Sequence, residues 1–209
     1  MAKGKFVTFE GCDGCGKTTQ TRMLCAYLDD RGADYVFTRE PGGGKISEAI
    51  REVILDGKNA EMTDECEALL YAAARVQHLA DTVKPALESG KLVLCDRYFD
   101  SSFAYQAEGR GLGDKFVASI NAYAIEKFTP DVTFLIDLPP EEAFLRKNGA
   151  DENDRMELAG AEFHRRVYRG FIKQAQKNKK RFVVIDGRQS RETMFASILS
   201  ALKDRKIID

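Results

Sequence analysis

Gly11-Cys12-Asp13-Gly14-Cys15-Gly16-Lys17-Thr18 is the stretch on which the reading of this chain turns. It fills every fixed position of G-x-x-x-x-G-K-[ST], between the apolar run Phe6-Val7-Thr8-Phe9 and a helix-like segment starting near Lys17. Glycines there let the backbone wrap closely around phosphates, while loop amides and the helix N-terminus point at the anion. Lys17 is expected to reach the β- and γ-phosphates, and the Thr18 hydroxyl to bind Mg²⁺. A chance glycine-rich turn is the alternative, and the complete motif between strand and helix argues against it. The chain reads as a nucleoside-triphosphate binder.

Working outward, the same alternation continues along the chain. Apolar runs at Lys5–Glu10, Tyr35–Arg39, Leu92–Asp96, Val132–Asp137 and Arg181–Asp186 are separated by helix-like segments. These span Lys17–Asp30, Lys45–Leu55, Asp64–Leu87, Lys115–Lys127, Glu141–Asn148, Ala159–Lys177 and Arg191–Lys203. The pattern predicts a parallel sheet with crossover helices on both faces. Charged residues end the runs, at Glu10, Arg39, Asp96, Asp137 and Asp186. They collect at the carboxyl ends of the strands, where open α/β sheets bind ligands. Asp64 and Glu67 form a D-x-x-E helix start, and Pro85 predicts a kink or an early end to that helix. The polar stretch from Asn148 to Arg155 reads as a lid-like loop. No repeat or low-complexity linker divides the 209 residues, so one domain is expected.

Composition narrows the partners. With 44% hydrophobic and 31% charged residues and a net charge of −1, this is an ordinary globular protein without a basic field for nucleic acid. No apolar run approaches ~20 residues, and the lysine-bearing N-terminus leads into a strand, so a cytoplasmic location without membrane partners is expected. The five cysteines, Cys12, Cys15, Cys25, Cys66 and Cys95, are scattered and odd in number, which suits reduced thiols. Cys12 and Cys15 make a C-x-x-C spacing without a second ligand pair for zinc. A redox role is a minor reading, in which the helix N-terminus favours thiolate at Cys15.

A second constellation supplies candidates for an acceptor site. Thr38-Arg39-Glu40-Pro41-Gly42-Gly43 places an arginine at the crevice, with Arg51 in the following helix. Tyr71 and Arg75, at i and i+4, share one helix face. They suit stacking on a base and binding a ring carbonyl, or else are a packed tyrosine and a solvated arginine. Asp96-Arg97-Tyr98 follows a buried strand beside the phosphate loop, so Asp96 can hold Mg²⁺ directly or through water. Arg97 would face the same crevice, the alternative being an Asp–Arg surface pair. Downstream, Ser101-Ser102-Phe103-Ala104-Tyr105-Gln106 brings an amide with both donor and acceptor, suited to a pyrimidine edge.

These residues carry a resemblance. Phe9-Glu10-Gly11-x-Asp13-Gly14-x-Gly16-Lys17-Thr18-Thr19-Gln20, Thr38 to Gly43, Asp96-Arg97-Tyr98-x-x-Ser101-Ser102-x-Ala104-Tyr105-Gln106 and Asp154-Arg155-Met156-Glu157 together resemble the thymidylate kinase family, in the same order and across nearly the whole chain. The resemblance implies a P-loop NTPase three-layer α/β fold, a five-stranded parallel sheet with helices on both faces and a short lid at about 146–157. It implies phosphoryl transfer from ATP to dTMP with Mg²⁺, and a homodimer. Residue by residue, Gly11 to Thr19 would bind ATP. Arg39 and Arg97 would clamp the acceptor phosphate, with Arg51 supporting. Tyr71 would stack on thymine, where the family often has Phe. Arg75, Ser102 and Gln106 would recognise the base, Asp13 would accept from the sugar 3′-hydroxyl, and Tyr105 would crowd the place of a 2′-hydroxyl. Adenine is expected near Gly187 and Arg188.

One departure bears on catalysis. Gly14 stands where some family members carry a catalytic arginine, and relatives with glycine there place several arginines in the lid. Here the lid offers Arg146, Lys147 and Arg155, while Asn148 and Ala150 occupy positions where arginines are common. Arg155 is the first choice for neutralising the transferring phosphoryl, with Lys17 and Arg97, and Arg146 the second. A phosphate acceptor, whose second pKa is about 6, needs no strong base. Both histidines, His78 and His164, are accordingly read as structural. A deoxynucleoside kinase would need a base beside an uncharged hydroxyl rather than three converging arginines. A guanine-dependent switch would need [NT]-K-x-D, which Asn178-Lys179-Lys180-Arg181 does not provide.

Overall fold

The computed structural model describes residues 4–147 and 155–209, so most of the expected lid loop lies outside the described residues. Five strands form one parallel sheet: β1 (Phe6–Glu10), β2 (Tyr35–Arg39), β3 (Leu92–Asp96), β4 (Val132–Asp137) and β5 (Phe182–Asp186), in the order β2-β3-β1-β4-β5. Register pairs Phe9 with Asp96 and with Phe134, and Arg39 with Asp96, so the charged ends of neighbouring strands lie side by side. All five runs expected from the sequence are strands of this sheet.

Around it lie α1 (Lys17–Asp29), α2 (Lys45–Leu55), α3 (Asp64–His78), α4 (Lys84–Glu88), α5 (Phe99–Ser102), α6 (Gly113–Ile120), α7 (Ala122–Lys127), α8 (Pro140–Lys147), α9 (Ala161–Lys177) and α10 (Arg191–Asp204). Alternation along the central strands sends side chains to two cores. Val7, Phe9 and Leu94 meet Leu24 and Leu28 of α1 and Ile198 and Leu202 of α10. Phe6, Val93 and Tyr98 meet Leu79, Val83 and Phe99. A sheet covered on both faces explains why its strands read as near-continuous apolar runs.

A polar chain nevertheless crosses the buried sheet. Thr8 and Thr133 share a 2.7 Å hydroxyl hydrogen bond, and Arg181 donates to Thr133 Oγ1 at 2.5 Å and to both oxygens of Asp100 at 2.6 and 2.8 Å. Burial of Asp100 is tolerable because this bidentate pair satisfies it. The chain ties α5 to the sheet.

The local detail refines the expected elements, and the kink or early end expected from Pro85 is among the expectations met. Helix 64–87 is interrupted: α3 passes through a π-helical segment, Leu79–Val83, into α4. Pro85 lacks an N–H and crowds the preceding turn, which wider winding accommodates. The cap of α3 is Thr63, whose Oγ1 accepts from Cys66 N at 3.3 Å, while Glu67 turns inward instead of closing a capping box. Helix 115–127 divides into α6 and α7 at Asn121, whose backbone leaves helical geometry. Residues 99–109, read only as a motif, are helical, with π-helical winding over Phe103–Gly109.

Candidate active site

The carboxyl ends of β1, β2 and β3 open on a cavity of about 470 Å³. Its wall brings Asp13, Gly14, Gly16, Lys17, Thr18 and Thr19 together with Arg39, Arg51, Tyr71, Arg75, Asp96, Arg97, Ser102, Tyr105 and Gln106. Phosphate loop and acceptor candidates therefore share one space. Gly11, Cys12, Cys15, Arg146, Arg155 and Arg188 are not on this wall.

The phosphate loop is built as its motif requires. Gly16 precedes α1 with φ of 110°, a left-handed conformation that favours glycine, and no acidic residue stands in the first turn. The N-terminus of α1 thus offers its amides and dipole to an anion. Lys17 Nζ donates at 3.0 Å to the carbonyls of Gly11 and Cys12 and lies 3.9 Å from Asp13 Oδ1.

Cys12 and Cys15 correct the redox reading. Both are buried free thiols that pack into the core beneath the loop. Burial pushes Cys12 up to about 12 and raises Cys15 as well, outweighing the lowering by Lys17 and Arg97. The sulfur of Cys15 lies 2.8 Å from where a Cβ on Gly11 would be. It fills space under the turn and is not the exposed thiolate that reactivity requires.

Asp13 and Arg97 join loop to acceptor side. Arg97 Nη2 donates to Asp13 Oδ1 at 2.6 Å, and Tyr105 OH donates to Oδ2 at 3.3 Å. Burial alone would raise the Asp13 carboxyl, but Arg97 and Lys17 hold it well below the usual carboxylate range. The partner of Arg97 is thus Asp13, not its chain neighbour Asp96. Arg97 has φ of 68°, uncommon for a side-chain-bearing residue and characteristic of functional turns. Glu10 holds that turn from below, accepting from Tyr98 N at 2.8 Å, Ser101 N at 3.2 Å and Ser101 Oγ at 2.6 Å. Burial, with Asp100 nearby, pushes Glu10 up to about 8.

Arg39 and Arg51 converge through a shared acceptor. Arg39 Nη1 and Arg51 Nη1 donate to the Pro41 carbonyl at 2.6 and 3.0 Å. Glu48 accepts from Arg39 Nη2 at 3.0 and 2.9 Å and from Gly43 N at 2.8 Å. Those bonds lower its carboxyl pKa despite the opposing effect of burial.

Arg75 is not a solvated arginine: only 3% of it is exposed. Its Nε donates to Glu40 Oε2 at 2.7 Å, and Nη1 donates to Ser102 Oγ at 3.1 Å and Asn121 Oδ1 at 2.5 Å. The break at Asn121 that divides α6 from α7 thus delivers a ligand for this guanidinium. Behind it, His78 Nδ1 bonds Glu40 Oε1 at 2.9 Å and Nε2 bonds Thr38 Oγ1 at 2.7 Å. His78 is fully buried, a structural role as expected, yet it is wired to two residues of the Thr38–Gly43 motif. Sequence reasoning missed the network of Glu40, His78 and Asn121 because these side chains meet partners 35 or more positions away. Only the polarity of residues inside apolar surroundings signals them.

The lid cations stand differently from expectation. Arg155, the first choice, donates through Nη2 to Glu67 Oε2 at 2.6 Å and through Nε to the Ile54 carbonyl at 3.1 Å. Its backbone N donates to the Leu55 carbonyl at 3.1 Å, so a buried carboxylate and two carbonyls at the end of α2 hold it off the cavity. Arg146 donates to the Gly187 carbonyl at 2.7 Å, and Arg188 pairs with Glu142 at 2.6 Å. These contacts fasten α8 to the turn after β5, where adenine was expected. Lys147, at the end of α8, is the lid cation that does line the cavity. It is ion-paired with Glu157 and helps to lower the Asp13 pKa.

Among the described residues no cluster of three or more His, Cys, Asp or Glu forms a ready metal cage. Asp96 Oδ1 is nevertheless a buried carboxylate oxygen without a hydrogen-bond partner, on the same wall as Thr18. An orphaned acceptor beside a phosphate loop fits a cation whose other ligands are phosphate, hydroxyl and water.

Comparison of the sequence with known proteins gives the family. The thymidylate kinase family model matches residues 9–198. The chain is 47% identical over 202 residues to a thymidylate kinase of Acholeplasma laidlawii, covering 96% of this chain and 99% of that one. It is 43% identical over 205 residues to one of Geobacillus sp., covering 97% and 98%. With one of Ligilactobacillus salivarius identity is 45% over 205 residues, covering 97% and 99%. By its match to the family model and its identity to these relatives over nearly the whole of each chain, this chain belongs to the thymidylate kinase family.

Proposed function

We propose that the protein transfers the γ-phosphoryl of ATP to the phosphate of dTMP, giving ADP and dTDP. The observation that carries this reading is one cavity lined by a complete phosphate loop, by Arg39, Arg51 and Arg97, and by Tyr71, Arg75 and Gln106. Three arginines suit an acceptor that already bears phosphate. The stacked aromatic with a donor and an amide suits a base. A deoxynucleoside kinase would waste that cationic wall on a neutral hydroxyl.

In this reading catalysis is positioning and charge neutralisation. Lys17 leaves its loop carbonyls for the β- and γ-phosphates, while Arg97 bridges Asp13 and the acceptor phosphate. Arg39 and Arg51 hold the acceptor from the other side, and Ser102 completes the wall beside Arg75. Asp13 accepts from the sugar 3′-hydroxyl, and Tyr105, hydrogen-bonded to it, crowds the 2′ position. Thr18 and Asp96 would hold Mg²⁺, which when bound neutralises charge on the phosphate oxygens. Lys147 takes the cationic role first assigned to Arg155 and Arg146, exchanging Glu157 for the transferring phosphoryl.

The homodimer implied by the resemblance belongs to this proposal. Ile46 and Val53 on α2 and Leu69 and Val76 on α3 are apolar and about half exposed, as an interface would use them. Sedimentation of the purified chain checks it. A cytoplasmic site of action is also proposed; among the described residues no helix is long and apolar enough to cross a membrane. Steady-state turnover on a panel of nucleoside monophosphates and on thymidine tests the main assignment. Preference for adenylate, guanylate or free thymidine overturns it.

A further inference from the structure

Glu67 is a fully buried carboxylate on α3, outside the residues assigned above to substrate. Its Oε1 accepts from Gln106 Nε2 at 2.8 Å, and its Oε2 accepts from Arg110 Nη2 at 2.8 Å and Arg155 Nη2 at 2.6 Å. Such a group is costly to bury without partners, and three donors meet that cost. The consequence for Gln106 is geometric. A carboxylate only accepts hydrogen bonds, so the planar amide must turn its nitrogen to Glu67 and hold its oxygen on the opposite side.

Arg75 is constrained in the complementary sense. Nε and Nη1 are committed to Glu40, Ser102 and Asn121, which leaves Nη2 as the guanidinium nitrogen outside those bonds, on a residue that lines the cavity. One wall then presents a fixed donor beside a fixed acceptor. A pyrimidine with a 4-carbonyl and an N3–H matches both. Cytosine, with a 4-amino group and a bare N3, opposes both.

We propose that Glu67 is a positioning residue for base specificity: by fixing the orientation of the Gln106 amide it makes the acceptor site reject 4-amino pyrimidines. The inference rests on the acceptor assignment above. It also links that choice to the lid, because the same carboxylate holds Arg155.

The test compares dUMP with dCMP, which differ at the 4-position and N3 but share the absence of a methyl group, with dTMP as the reference acceptor. In Glu67→Gln the amide pair can form in either orientation, so Gln106 is free to turn. The expected result is a fall of roughly 10- to 100-fold in the dUMP-to-dCMP ratio of kcat/KM, the scale of one hydrogen bond to a charged group. In a Gln106→Leu background the same substitution is expected to leave that ratio unchanged. Glu67→Gln combined with Arg155→Gln removes opposite charges together, while Arg110 keeps Asp64 at 3.3 Å. This charge-balanced variant serves if the single one does not fold, and the same loss of discrimination is expected from it. An unchanged ratio in the folded variants overturns the proposal. So does an equal fall in the Gln106→Leu background, which would mean that Glu67 acts only on the lid. Failure of the wild type to phosphorylate dTMP would instead overturn the acceptor assignment itself.

Discussion

The carbonyl oxygen of Ala143 occupies the place where a Cβ on Gly14 would stand, and Lys147 Cβ lies 3.3 Å from that point. Gly14 also has φ of 84°. Helix α8 therefore closes on the phosphate loop at Gly14, and it brings its own cation, Lys147. Lys147→Met is expected to lower kcat by ~10²-fold, as for other single charge-stabilising groups. Its thermal stability should hardly change, because partly exposed ion pairs contribute little. Gly14→Arg should not rescue it, since the side chain must displace α8. Full activity in Lys147→Met, or rescue by Gly14→Arg, would return the role to Arg155.

Glu10 gives the fold a pH signature. Burial and Asp100 push its carboxyl from 4.5 up to about 8, against the lowering by Arg97, Ser101 and the Tyr98 amide. The folded protein then holds this proton more tightly than the unfolded chain. Its contribution to stability is full at acid pH and is lost as pH rises through the range from the unfolded value to about 8. Glu10→Gln mimics the protonated form: its oxygen still accepts the two amides and its nitrogen donates to Ser101. The variant should lose less melting temperature than wild type between pH 6 and pH 9. Parallel curves would show that Glu10 does not titrate there.

The phosphate-loop thiols are expected to be the slow ones. Cys12 and Cys15 are buried with raised pKa values, whereas Cys66 lies exposed on the first turn of α3. Thiolate fraction and access both set alkylation rates. Iodoacetamide labelling followed by mass spectrometry should find Cys66 modified first, and Cys66→Ala should remove the fast phase. Early labelling at Cys12 would restore the redox reading.

What the sequence disclosed was what is local or repetitive. Strands showed because both faces of the sheet are covered, so apolar residues run together without the ambiguity of a half-exposed strand. Gly11 to Thr18 showed because a phosphate loop is one contiguous turn. Tyr71, Arg75 and Gln106 were candidates by side-chain chemistry and helix spacing, the resemblance gave them roles, and the structure places them on one wall. Polar side chains meeting across the fold were not legible. Glu67 read as a cap because its spacing from Asp64 allows one, yet tertiary partners outbid a local bond to a chain that Thr63 already capped. Arg155 read as catalytic because charge in a lid points toward phosphate. No local pattern announces the buried carboxylate that holds it.

The acceptor assignment makes the most demanding prediction, since it gives a recognition role to Arg75, a residue the fold also depends on. Loss of its hydrogen bond to a ring carbonyl should reduce kcat/KM for dTMP by ~10- to 150-fold, from about 1.5–3 kcal/mol for a charged donor. From its helix spacing alone that would be the whole effect. In the folded protein Arg75 is also the buried partner of Glu40 at 2.7 Å, and Asn121 and Ser102 depend on it. Removing one member of such a pair strands the other, at a cost of about 3–5 kcal/mol. Arg75→Ala should therefore both unfold more readily in urea and lose activity on dTMP, while its KM for ATP stays near that of wild type. Arg97→Ala serves as the contrast: on the proposed assignment it holds phosphate and not base, so turnover should fall with every monophosphate. A stable Arg75→Ala with intact dTMP kinetics would show that neither the network nor the recognition is as argued. An unstable variant with intact kinetics would confine Arg75 to the fold.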